Sequence, residues 1–171
     1  MKLKKYITLL LSALMFVCAL TACGPDVEHR FDTEEYSARA EATMRSIAQQ
    51  LGRVESLANG HGVELYAAFA EYEDGRPGRP DGDVTVTTVT QDALDDWAAR
   101  PAHKLCIYAE SGDEIEEYLA AWLAQVRQMY SALDSLTEEQ WQGLAGGTLS
   151  LMGELVQQGG KTYVQASIAC E

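Results

Sequence analysis

The chain has 171 residues, of which 26 are acidic and 13 basic, giving a net charge of −13 and an isoelectric point near 4.5. That balance argues against nucleic acid, whose phosphates demand Lys and Arg, and against adhesion of the protein surface itself to anionic lipid. With 47% apolar residues and no repeat or low-complexity tract, the chain is sized for one ordinary domain with a core.

The first element is "MKLKK", in which Lys2, Lys4 and Lys5 form a positive cluster. The apolar run "YITLLLSALMFVCAL", Tyr6 to Leu20, follows, broken only by Thr8 and Ser12. A charged start, an apolar stretch and then small residues make the layout of a secretory signal. The run falls short of the roughly 20 apolar residues that a spanning helix needs, although an uncleaved helical anchor is the alternative reading.

The run ends in "LTAC", Leu20 to Cys23. An aliphatic residue, two small residues and a cysteine at this position resemble the lipobox of bacterial lipoproteins. The resemblance covers only the first 23 residues. It implies transfer of a diacylglyceryl group to the Cys23 sulfur and cleavage after Ala22. The sulfur attacks as a thiolate. Cys18, inside the apolar run behind Phe16 and Val17, lacks that setting.

The expected organisation is therefore a signal over 1–22, a lipidated cysteine with a short tether over 23–31, and one domain over 32–171. Cleavage removes three lysines and no acid, so ten basic side chains face 26 acidic ones and the net charge becomes −16. Two acyl chains would hold the product at the extracytoplasmic face of the cell membrane, since one chain alone binds only marginally. The spacer "GPDVEHR" reaches at most about 25 Å, which keeps the domain near the lipid surface.

After the tether, a helix is expected from Asp32 to Ala58. Asp32 and Glu35 are placed as a capping box, with Phe31 and Tyr36 as the staple. Tyr36, Ala40, Met44, Ile47, Leu51, Val54 and Ala58 recur at threes and fours as one apolar stripe. Val63 to Glu73 reads as a strand, Asp74 to Asp83 as a Gly/Pro loop, and the β-branched run Val84 to Val89 as a second strand. A short helix over 91–100 turns Leu94, Trp97 and Ala98 inward, and Lys104 to Glu110 forms the third strand.

Ser111 with Glu114 opens the next helix, whose apolar face is Ile115, Tyr118, Leu119, Trp122, Val126, Met129, Tyr130 and Leu133. Thr137 with Gln140 starts another, expected to run to about Gln158, with Leu136 and Trp141 as its staple. That span contains Gly143, Gly146, Gly147 and Gly153, so either the helix breaks near Gly146-Gly147 or another element approaches closely there. Thr162 to Cys170 alternates as a fourth strand. The fold class is α+β: a small sheet of about four strands packed against a long N-terminal helix and two C-terminal helices.

Catalytic signatures are missing: there is no G-x-S-x-G, S-x-x-K, H-E-x-x-H or P-loop. His29, His61 and His103 are scattered, and His103 and Cys106, three apart on a strand, point to opposite faces. The acids Glu71, Glu73, Asp74, Asp81 and Asp83 could attract calcium. However, "DGDVTV" lacks the EF-hand glycine, and Arg76 and Arg79 compete for the carboxylates. No catalytic residue, metal site or cofactor is assigned. The expected partners are the membrane, through the anchor on Cys23, and a protein or envelope component bound without catalysis. A small envelope hydrolase using acidic residues is the alternative.

Cys106 and Cys170 are the only thiols left once Cys23 is modified. Export favours a disulfide between them. Two buried thiols are the competing outcome.

Overall fold

The computed structural model describes residues 38–71, 84–86, 88–112 and 114–171. The signal, Cys23, the tether, the expected cap and staple around Asp32, and the acidic loop all lie outside the described residues.

Among the described residues four helices, α1 (Ala38–Gly60), α2 (Gln91–Ala99), α3 (Ile115–Asp134) and α4 (Glu138–Leu144), accompany five strands. These are β1 (Glu64–Glu71), β2 (Val84–Val86), β3 (Leu105–Ser111), β4 (Thr148–Gln158) and β5 (Lys161–Cys170). The strands form one mixed sheet in the order β1-β4-β5-β3-β2. β1 is parallel to β4 and β2 to β3, while β5 runs antiparallel to both neighbours. The class is α+β, as expected.

The registers fix which side chains share a face. Phe69, Gly153, Ala166 and Ile107 lie in one row across the sheet, and Ala67, Leu151, Ile168 and Leu105 in another. These rows meet the helices. A side chain at Gly153 would stand 2.6 Å from Phe69 and 2.8 Å from Trp122 of α3, so the absence of a Cβ lets the indole settle on the sheet. The stripe of α1 and the apolar face of α3 pack side by side over the strands, with Ile47, Val54, Leu119, Trp122, Val126 and Leu133 buried. Leu94 and Trp97 of α2 and Trp141 and Leu144 of α4 join the same core.

Several boundaries follow local chemistry. The capping box of α4 forms as read, with Gln140 N donating to Thr137 Oγ1 at 3.2 Å and Thr137 N donating to Gln140 Oε1 at 2.9 Å. The staple residues Leu136 and Trp141 are both buried. α3 starts later than expected, after Glu114, because Ser111 stays in β3 paired with Thr162. There the Glu117 carboxylate accepts from Glu114 N at 3.3 Å.

The largest correction concerns residues 145–158, expected to be helical. α4 stops at Leu144, Gly146 takes φ +83°, and β4 begins at Thr148. Leu149, Leu151, Gly153 and Leu155 then alternate toward the helices. Gly159 and Gly160, with φ +61° and +75°, close a two-residue hairpin into β5. Two positive φ values in succession define the turn whose twist suits paired strands. The sheet therefore has five strands, one more than the approximate expectation.

The expected close approach is present at Gly147. A Cβ there would meet Cys170 Sγ at 2.9 Å, Glu171 O at 3.0 Å and Leu144 O at 3.1 Å.

The Cys106–Cys170 disulfide is not formed: both residues are buried thiols. Cys106 pairs with Ser167, three residues before Cys170. An odd offset puts the two side chains on opposite faces, and three residues along a strand is about 10 Å, beyond the roughly 7 Å that a disulfide tolerates.

Candidate functional site

α1 carries a second stripe beside its core stripe: Gln49, Gly52, Arg53, Ser56 and Leu57, again spaced at threes and fours. With Tyr130 of α3 it lines an open groove of about 480 Å³ between the two helices. The Arg53 guanidinium carbon stands 4.3 Å from the centroid of the Tyr130 ring, a cation–π geometry. Its Nη1 donates to Gln50 Oε1 at 3.5 Å, and Ser56 Oγ donates to Gly52 O at 2.9 Å. The lining offers one cation, one aromatic face, an amide and a hydroxyl. Among the described residues the lining contains no carboxylate, imidazole or thiol. Sequence reading placed Tyr130 on the core face and passed over Arg53; the parallel polar stripe was the available signal.

A second cluster joins the end of α1 to the start of α4. His61 stacks on the buried Trp141 with ring centroids 4.5 Å apart and planes within 4°. Its Nδ1 lies 3.6 Å from Glu138 Oε2. Backbone bonds from Gly146 N to Gly62 O (2.8 Å) and from Glu64 N to Gly147 O (3.0 Å) close the same corner. The imidazole serves this joint between elements. His103 is exposed while Cys106 is buried. Among the described residues no three His, Cys, Asp or Glu side chains converge as metal ligands.

At the open end of the sheet Lys161 Nζ lies 2.8 and 3.0 Å from the two carboxylate oxygens of Glu110. The hydrogen bond and the charge of Glu110 hold Lys161 above the ordinary lysine range. Both side chains are more than half exposed, which makes the pair a solvated one of small energetic weight. Burial pushes the Cys170 thiol up, and its Sγ faces Leu144 O at 4.0 Å.

No family model, curated protein or solved structure matches this chain.

Proposed function

We propose that the protein is a lipoprotein held at the extracytoplasmic face of the cell membrane by a diacylglyceryl group on Cys23. Its folded domain would bind a protein or envelope component without catalysis. The observation that carries the tethering is "LTAC" at residues 20–23, directly behind a lysine cluster and an apolar run. Among the described residues no helix is long and apolar enough to cross a membrane. The groove of Arg53 and Tyr130 supports the binding half of the reading, because its described lining offers a cation, an aromatic face and hydrogen-bonding groups.

Replacing Cys23 with serine tests the anchor: the precursor should lose diacylglyceryl labelling and leave the detergent phase. A Cys23→Ser protein that stays with membranes as strongly as the unsubstituted one would point to an uncleaved apolar helix instead. For the domain, the detergent-purified protein is incubated with isolated envelope polymers. Co-sedimentation without release of soluble fragments is expected, whereas released fragments would favour the hydrolase.

A further inference from the structure

Two features of the groove between α1 and α3 point to an occupant. The first is Gly52, which lines the groove from the middle of the 23-residue helix α1. Glycine is the poorest helix former after proline, so a glycine there weakens the helix. At Gly153 the neighbouring rings explain the missing side chain, but a Cβ added at Gly52 would meet nothing within 4 Å. No other element of the domain needs Gly52 to be bare. What its bareness provides is a dip in the groove, where the backbone of a ligand can come against the helix.

The second feature is Arg53. The Tyr130 ring and the Gln50 amide hold its guanidinium in place, so little ordering remains to be done when a ligand arrives. Arg39 has Glu116 beside it and Lys161 has Glu110, yet no carboxylate among the described residues pairs with Arg53. That is unusual in a chain with 26 acidic and 13 basic side chains. A guanidinium carries five N–H donors in one plane. Gln50 takes one of them, and a carboxylate can accept two others in parallel.

Charge and spacing narrow the ligand. The net charge of −13 repels a polyanion, whereas a single carboxylate on an otherwise neutral body meets chiefly the local cation. Arg53 and Leu57 stand one turn apart on α1, about 6 Å along its axis. One terminal residue of a peptide spans that distance with its carboxylate and its side chain. An internal Asp or Glu spends its side chain on the carboxylate and leaves no apolar group of its own for Leu57. Gln49 can pair with peptide N–H and C=O groups, and Ser56, whose Oγ donates to Gly52 O, can still accept.

We propose that this groove captures the free C-terminal end of a peptide whose last residue is apolar. The terminal carboxylate sits on Arg53, the last side chain on Leu57, and the last peptide unit over Gly52. The proposal rests on the binding reading given above and names the ligand class of the same groove.

The test is saturation-transfer NMR on the detergent-purified full chain, with detergent alone as the blank. The probes are N-acetyl-glycyl-alanyl-leucine and the same peptide ending in an amide. The acid should bind about ten-fold more tightly than the amide, the loss expected for a charge-assisted hydrogen bond. Arg53→Gln should bring the acid down to the level of the amide, and Arg53→Lys, which keeps the charge without the fork, should not restore it. Gly52→Ala is the sharper variant. It should raise the melting temperature, since alanine favours the helix and meets no neighbour, while weakening the acid several-fold. Equal binding of acid and amide, transfer to neither, or unchanged affinity in Arg53→Gln or Gly52→Ala would overturn the proposal. So would tighter binding of glucuronate, or of polyglutamate per carboxylate, than of the acid peptide. The broader reading is tested separately. If Arg53→Gln still sediments fully with envelope polymers, that reading stands and this proposal falls. If the unsubstituted protein ignores the polymers but takes the acid peptide through Arg53, the envelope partner falls and the ligand class stands.

Discussion

The two faces of the sheet are built on different principles. The helix side is a continuous apolar surface in which Gly153 leaves room for Trp122, and its stability rests on volume. The second side mixes Cys106, Ser167 and Gln165 with the tyrosine pair Tyr108 and Tyr163, whose ring centroids lie 5.5 Å apart. Its composition allows both packing and hydrogen bonding. The contrast teaches that burial alone does not rank residues: a buried atom matters according to what it touches.

Breaking the helix side should have the largest effect. Trp122→Ala removes the side chain seated between Phe69 and Gly153 and is expected to cost about 3–5 kcal/mol, read from denaturant unfolding midpoints. Gly153→Ala comes next. The added Cβ meets two buried rings at under 3 Å, and overpacking of this sort costs about 1–3 kcal/mol. Gly147→Ala, pressed against Cys170 Sγ and two backbone oxygens, should lower the melting temperature as well. A rise in melting temperature for any of the three would mean that the helix side yields to added or lost volume.

A pair of glutamines sharpens the comparison. Gln125 of α3 is buried on the helix side and donates through Nε2 to Val164 O at 2.8 Å and Ile107 O at 3.3 Å. Gln125→Leu should cost about 1 kcal/mol through these lost bonds. Gln165 of β5 is buried on the second face with its Oε1 unpartnered, so Gln165→Leu should be neutral or stabilising, which calorimetry can distinguish.

The smallest effect is a dependence on pH. Burial raises the Cys170 pKa, so the folded state favours the protonated thiol. Its contribution is complete below the unfolded cysteine pKa of about 8.5 and is lost as pH rises through the raised folded value. The unfolding midpoint should therefore decline above that pH, with a shallower decline in Cys170→Ala. Identical slopes would show that Cys170 does not titrate across unfolding.

The same contrast explains what could be read in advance. The stripe from Ala40 to Ala58 and the face from Leu119 to Leu133 follow helical spacing because each helix has one wet side. The capping box at Thr137 was legible because it is local. β4 was not, since a strand with apolar residues on both faces shows no clean alternation. Met152 and Val156 on the second face blur the series Leu149, Leu151, Gly153 and Leu155, while the preceding capping box suggests a helix. Gly159-Gly160 carries the hairpin signal, two glycines between two β-forming runs. The cysteine pair misled for another reason: an even count of cysteines says nothing of register, and an offset of three places Cys106 and Cys170 on opposite faces. For the groove, spacing revealed the α1 stripe only after α3 was seen beside it.

β5 is both the last strand of the chain and the central strand of the sheet. Without it, β1–β4 and β2–β3 are two separate parallel pairs with nothing between them. The final residues are bound in directly, with Cys170 N donating to Pro101 O at 2.7 Å and Thr148 N to Glu171 O at 2.6 Å. A chain made from its N-terminus therefore joins the described strands into one sheet only once β5 (Lys161–Cys170) is present. A version ending at Gln158 should unfold without a cooperative transition. Closure of the sheet thus waits on β5, and cooperative folding waits with it.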